Sequence, residues 1–313
     1  MAIGAQKPPV ALIAGPTASG KSALAIALAE RTNGVIINAD SAQLYCDLPI
    51  LSAAPSAEDR ERADHRLYGI RDGAGPCSAA GWAELARGEI AEVQAEGRLP
   101  IVVGGTGLYL RTLLDGIAPV LPIDPAVRQR IRGASVEDNF DQLRQADPEA
   151  AERLNSRDTT RIARALEVVQ STRRTLQDWQ SVREGGIGED IDLKALILLP
   201  PRDWLYARCN MRFATMVENG AVDEVKQLLA RNLDRDLPVM RAIGVREIAT
   251  YLNGESSLDE AIAAGQQATR NYAKRQFTWF AHQPPADWPR WAGITNPVQA
   301  ELVEALPFLQ SSE

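Results

Sequence analysis

The chain has 313 residues, 45% of them hydrophobic and 24% charged, with a net charge of −7. That length holds a large core and two domains, and the composition is that of an ordinary globular protein. The acidic balance argues against a protein that coats nucleic acid without selectivity, although it leaves room for a local basic face. Cys46, Cys77 and Cys209 are too few and too scattered for a disulfide framework or a zinc pattern, which fits a reducing cytoplasm. Residues 1–9 lack the apolar core of a signal peptide, and no apolar run is long enough to span a bilayer. The expectation is a soluble, cytoplasmic protein without a membrane partner.

Residues 10–14 form an apolar β-type run leading into Gly15-Pro16-Thr17-Ala18-Ser19-Gly20-Lys21-Ser22, and residues 22–31 follow as an Ala- and Leu-rich helix. Strand, G-x-x-x-x-G-K-[ST] and helix in that order are the phosphate-binding loop in its required context. Gly15 and Gly20 let consecutive N–H groups face one anion. The helix N-terminus adds partial positive charge, Lys21 a full one, and the Ser22 hydroxyl can hold Mg²⁺. The pattern points to a polyphosphate or pyrophosphate.

A second buried strand, 35–39, delivers Asp40-Ser41-Ala42-Gln43 at its end. Ligands of open parallel sheets sit beyond the carboxyl ends of strands, so Asp40 is expected beside the phosphate loop. It could also be a helix cap. Residues 53–63 read as a loop entering a short helix, His65 as a structural histidine, and 79–96 as a helix stopped by Gly97. The next strand, 99–103, runs into Gly104-Gly105-Thr106-Gly107. It ends without the carboxylate that a phosphoryl-transfer enzyme places on a second strand, and the acidic residue stands at Asp40 instead. Thr106 is either a hydroxyl in the crevice or a helix cap.

After residue 116 the texture changes. Pro119, Pro122 and Pro125 punctuate a linker, and only helical patterns follow: 126–132, 139–145, 148–154 and 160–176. A Gly-rich exit at 185–188 precedes another buried strand, 193–199. A parallel sheet interrupted by helices and then resumed implies an α/β core carrying an inserted all-helical domain, with the pieces at 1–118, 119–190 and 191–313. Arg128, Arg157, Arg161 and Arg164 concentrate in the insertion, as an RNA-facing patch or a solvated face would. Asp203 is expected to cap a helix over 204–218 in which Arg208 and Arg212 share a face. Arg241-Ala242-Ile243-Gly244-Val245-Arg246 opens another helix, and 258–280 is the last long one. The tail from Gln283 ends in a short amphipathic stretch.

These residues resemble the tRNA dimethylallyltransferases. The resemblance rests on the phosphate loop, Asp40-Ser41-Ala42-Gln43-Leu44-Tyr45, Val103-Gly104-Gly105-Thr106-Gly107-Leu108-Tyr109 and Asp124-Pro125-Ala126-Val127-Arg128. It continues through Arg161-Ile162-Ala163-Arg164-Ala165-Leu166-Glu167, the 241–246 segment and Ala273-Lys274-Arg275-Gln276. Two positions depart from the family's pattern: Ala54 replaces a common lysine, and Thr160 stands where glutamine is frequent.

The resemblance implies a P-loop NTPase-like parallel sheet core and transfer of a dimethylallyl group from its pyrophosphate to N6 of adenosine 37 in tRNA. The partners are then the anticodon stem-loop and dimethylallyl pyrophosphate, the cofactor Mg²⁺, and no obligate protein partner is evident, which suggests a monomer. The resemblance makes Asp40 the general base, Thr106 a channel residue touching substrate, and Arg212 a further charge on the diphosphate. The donor is gripped by residues 15–22: Gly15, Pro16, Thr17, Ala18, Ser19, Gly20, Lys21 and Ser22. The tRNA contacts implied are Asp40, Ser41, Ala42, Gln43, Thr106, Arg128, Thr160, Arg161, Ile162, Ala163, Arg164, Arg241 and Arg246. Three rivals remain at this point: a small-molecule kinase on the same loop, a prenyltransferase acting on free AMP or ATP, and a nucleotide-binding RNA module without catalysis.

Overall fold

A computed structural model describes residues 7–293. The amphipathic stretch read in the C-terminal tail lies outside the described residues. Six strands form one sheet: β1 (Pro9–Ala14), β2 (Val35–Asn38), β3 (Asp64–Arg66), β4 (Pro100–Gly104), β5 (Asp192–Leu198) and β6 (Arg290–Trp291). Their spatial order is β3-β2-β4-β1-β5-β6 and every pairing is parallel. Strands buried on both faces need continuous apolar runs, which 10–14, 35–37 and 101–103 supply. β3 is the strand the sequence hides: Asp64-His65-Arg66 is short and polar, and sits at the sheet edge against β2.

Of the helices, α1 (Lys21–Thr32) turns Leu24, Ala25, Leu28 and Ala29 onto Ile13, Ile36, Ile101 and Leu196. Each fully buried leucine there is worth on the order of 2 kcal/mol. The chain continues through α2 (Ala57–Arg62), α3 (Ala79–Ala95) and α4 (Gly107–Asp115). Ser56 and Ser78 cap α2 and α3 with their hydroxyls.

Residues Leu114–Gly186 separate as a second unit, where the sequence reading put 119–190. Its ends are clasped by paired hydrogen bonds between Ile117 and Glu184. It contains α5 (Pro125–Gly133), α6 (Val136–Ala146), α7 (Pro148–Arg153), α8 (Thr159–Thr172) and α9 (Leu176–Gln180). Its core gathers Ile131, Leu143, Ala150, Ile162 and Leu166. The single helix expected over 160–176 is two. Arg173 takes φ 59 and closes α8, and Thr175 caps α9 through a capping box.

The first unit resumes with β5 and then α10 (Arg202–Met216), α11 (Val222–Ala230), α12 (Val245–Leu252) and α13 (Leu258–His282). Asp203 is not the cap of α10. That helix starts two residues earlier than expected, at Arg202, and Asp203 adds its charge to the first turn instead. α10 runs into a π turn, Val217–Ala221, that Gly220 breaks at φ 105. Arg241 ends a short 3₁₀ turn rather than opening a helix, and α12 begins beyond Gly244. Among the described residues no helix is long and apolar enough to cross a membrane.

Candidate active site

Strands β2, β4 and β1 are neighbours, so their carboxyl ends deliver three loops to one edge of the sheet. The loop after β1 is the phosphate loop. Gly15 sits at φ 151 against β5, where a Cβ would run into the carbonyl of Leu198. Gly20 takes φ 97 to start α1. Lys21 Nζ donates to the Pro16 carbonyl at 2.7 Å and Ser19 N–H to the same oxygen at 3.3 Å, which curls the loop on itself. Arg208 Nε donates to the Ala18 carbonyl at 3.1 Å, and the Arg212 guanidinium bonds the Thr17 hydroxyl. Both arginines of α10 therefore reach the loop, as their shared face led one to expect.

Lys21, Arg212 and Arg208 crowd positive charge around a loop that already presents N–H dipoles. Burial pushes the Lys21 ammonium down to about 8, with Asp40 opposing the shift and Arg212 reinforcing it. Burial likewise lowers the Arg212 guanidinium, again opposed by Asp40. The loop is poised for a multiply charged anion, which would relieve that repulsion.

The loop after β2 carries Asp40. Asn38, fully buried, fixes it: Asn38 Oδ1 accepts from Asp40 N–H at 2.7 Å, while Nδ2 donates to the Asp40 and Leu67 carbonyls, each at 3.0 Å. Trp82 Nε1 donates to the Asn38 carbonyl at 2.9 Å and stacks on Tyr109 at 4.6 Å. Asp40 Oδ1 accepts from Ala42 N–H at 3.0 Å. The cap-like bond stays within its own turn, and Asp40 opens no helix. Gln43 turns away to donate to the Ser52 and Ala53 carbonyls at 3.1 and 2.7 Å, bracing the 52–53 loop.

The loop after β4 carries Thr106, whose hydroxyl oxygen accepts from Ser41 N–H at 3.0 Å while its carbonyl starts α4. It thus binds the Asp40 loop to the Gly104-Gly105 turn. Tyr272 of α13 also reaches Thr106. Burial and the Asp40 charge push its phenol up, against the pull of the Thr106 hydroxyl, so it stays protonated at neutral pH.

The phosphate loop and the Asp40 loop border a cavity of about 310 Å³, and Thr106, expected as a channel residue, is not among the residues that line it. Thr17 and Arg212 line its walls together with Asp40, Ser41 and Ala42. Leu48, Leu51, Phe213, Met216, Val239 and Ile243 supply apolar surface, and Tyr272, Arg275 and Arg241 polar groups. Arg241 is exposed and pairs with Asp236, and Arg246 lies exposed on α12. The cavity thus joins a charged loop, an apolar compartment and a carboxylate.

Ser22 lies exposed at the start of α1. Among the described residues no three His, Cys, Asp or Glu side chains form a metal cage. A hard hydroxyl oxygen beside a phosphate loop suits Mg²⁺, which keeps waters and takes its remaining ligands from substrate phosphates.

In the helical unit, Thr160, Arg161 and Arg164 line a groove of about 420 Å³ with Arg153. Arg128, Arg132 and Arg164 surround Glu167, whose carboxylate is fully buried; Arg132 Nε meets it at 2.9 Å and the other two at 3.9 Å. Burial lowers the Arg164 guanidinium, and Arg128 and Arg132 add to this against Glu167. Ile162 and Ala163 need correction as RNA contacts. They are 0% and 9% exposed and pack in the core of the unit, because only every third or fourth residue of α8 can face out.

Sequence reasoning passed over Asn38, Tyr272 and Glu167. The one available signal was a polar residue ending an apolar strand or interrupting an apolar helix face.

The IPP transferase family model matches residues 43–283. A tRNA dimethylallyltransferase of Sphingopyxis alaskensis is 61% identical over 282 residues, covering 90% of this chain and 92% of its own length. One of Erythrobacter litoralis is 59% identical, covering 91% and 92%. Among solved structures, the full-length tRNA isopentenylpyrophosphate transferase of Bacillus halodurans aligns with a TM-score of 0.68 at 33% identity, over 95% of this chain and 93% of that one. A eukaryotic dimethylallyltransferase acting on tRNA aligns with a TM-score of 0.76 at 28% identity, over 87% and 70%.

Proposed function

The chain belongs to the IPP transferase family, and from that premise we infer that it transfers a dimethylallyl group from dimethylallyl pyrophosphate to N6 of adenosine 37 in tRNA, next to the anticodon. The observation that carries this reading is the single cavity lined by Thr17 and Arg212 at the phosphate loop and by Asp40. In this reaction the allylic C1–O bond breaks, diphosphate leaves and N6 bonds to C1. No phosphorus–oxygen bond is attacked. The loop therefore has only to bind diphosphate and stabilise the charge that grows on the leaving oxygen.

Lys21, Arg212 and the loop N–H groups other than those of Thr17 and Ser19, which are bonded to Gln276 and the Pro16 carbonyl, supply that stabilisation. Bound through Ser22 and the diphosphate, Mg²⁺ would neutralise further charge on the leaving group. The apolar side chains of the cavity hold the C5 chain and keep water from an electron-poor carbon. Adenine N6 is a weak nucleophile because its lone pair is delocalised into the ring. Asp40 takes the proton N6 loses as the C–N bond forms, a contribution of ~10²–10⁴-fold. Thr106, held between Ser41 and Tyr272, keeps the Asp40 loop in place.

Adenosine 37 must leave its stack to reach Asp40. The arginines of the helical unit and of the 241–246 segment bind RNA phosphates, which positions the loop without reading its sequence. The tRNA-directed arginines set the reading apart from a prenyltransferase of free AMP. The test is to offer labelled dimethylallyl pyrophosphate with Mg²⁺ and unmodified tRNA beside AMP. Label in tRNA alone is the expected outcome, and label in AMP alone would refute it.

A further inference from the structure

The segment Ala273-Lys274-Arg275-Gln276 contains a side chain that the reaction as described does not use. Gln276 is only 6% exposed and follows Tyr272 by one turn of α13. Its Oε1 accepts from Thr17 N–H at 2.8 Å, and its Nε2 donates to the Gly105 carbonyl at 2.8 Å. One planar amide thus spans two loops from different strands, the phosphate loop after β1 and the turn after β4 that carries Thr106. Gly105 is what lets it close in, since a Cβ there would run into Gln276 Nε2.

The consequence for the phosphate loop is specific. Pro16 has no N–H and that of Ser19 turns to the Pro16 carbonyl, while that of Thr17 is held sideways by Gln276. The Thr17 hydroxyl is left to meet Arg212. The pitch of Thr17, and with it the place of the Arg212 charge, therefore depends on an amide anchored at its other end beside Thr106. At neutral pH an amide of this length both accepts and donates at those two points, which an ionised carboxylate of the same length cannot.

We propose that Gln276 is a positioning residue that locks the diphosphate loop and the Thr106 turn in one register, so that donor and acceptor are presented to each other at bonding distance. The register of the diphosphate loop stands on geometry alone. The presentation to an acceptor rests on the prenyl-transfer reading.

Two variants of the full chain test it. Gln276→Met keeps the volume and removes both bonds; with two buried backbone groups left unpaired, the Kd for inorganic pyrophosphate should weaken about tenfold and kcat for tRNA prenylation fall about tenfold, with tRNA Kd unchanged. Gln276→Glu still accepts from Thr17 N–H, but as a carboxylate it sets oxygen against the Gly105 carbonyl, and protonation restores the donor. The ratio of its activity to that of the unsubstituted chain should therefore rise as pH falls from about 8 to about 5.5. A merely structural glutamine would lower the melting temperature and leave that ratio flat.

A flat ratio, or a Gln276→Met protein with unchanged pyrophosphate Kd and kcat, overturns the proposal. If Gln276→Met does not fold, the Gln276→Glu ratio decides by itself. If the unsubstituted chain binds pyrophosphate but labels no tRNA, the prenyl-transfer reading falls, and the pyrophosphate Kd of the two variants still decides the role of Gln276.

Discussion

Lys21 is the residue at which charge and burial meet most directly. With its ammonium held at about 8, it is charged below that pH and neutral above it. The protonated form binds the anion, so pyrophosphate affinity is expected to hold below about pH 8 and to fall as pH rises through it. A bound diphosphate favours the charged form and moves this limb upward, never downward. Lys21→Arg, charged throughout, should remove the limb; calorimetry across the range checks it. The phosphate loop and Asp40 were legible because both are local signals, a glycine spacing and a carboxylate at a strand end. Gln276 was not, since its two partners lie 259 and 171 positions away in the chain and only the folded sheet edge brings them within reach. Asn38 fared the same: a single polar residue after Val35-Ile36-Ile37 gives no sign that it fixes the next turn.

The element that best separates pattern from chemistry is α8. Its motif contains arginines and apolar residues in alternation, and a list of motif positions does not distinguish them. Helical geometry does. Ile162 points into the core of the helical unit and Arg161 into solvent. Ile162→Ala should therefore cost the unit about 2–4 kcal/mol, and Arg161→Ala within about 0.5 kcal/mol, as read by chemical denaturation. Arg161→Ala should instead weaken tRNA binding. α1, α3, β2 and β4 were predicted to within a few residues, whereas α4 and α11 were not read as helices at all. β3 was missed because three polar residues at a sheet edge carry no period. The split of α8 from α9 was missed because nothing in Arg173 announces a left-handed turn; the backbone there is set by its neighbours.

At the scale of the molecule, an acidic chain of a tRNA-modifying family carries local arginine groups that offer positive charge to a polyanion despite its net charge. Arg128, Arg132 and Arg164 are gathered around the buried Glu167, which holds three guanidinium groups near one another at the expense of one charge. Removing Arg164 should weaken tRNA binding across all sequences and reduce its salt slope by about one, whereas the apparent affinity for dimethylallyl pyrophosphate should not change. Filter binding at several salt concentrations measures the first and transfer kinetics the second. The central claim is a division of labour: the phosphate loop draws off diphosphate, and Asp40 accepts the proton that N6 gives up. Its most direct test is the single-turnover rate of Asp40→Asn with both substrates saturating, beside its tRNA Kd. The account predicts a rate lower by ~10²–10⁴-fold with tRNA affinity retained; a near-normal rate would contradict it.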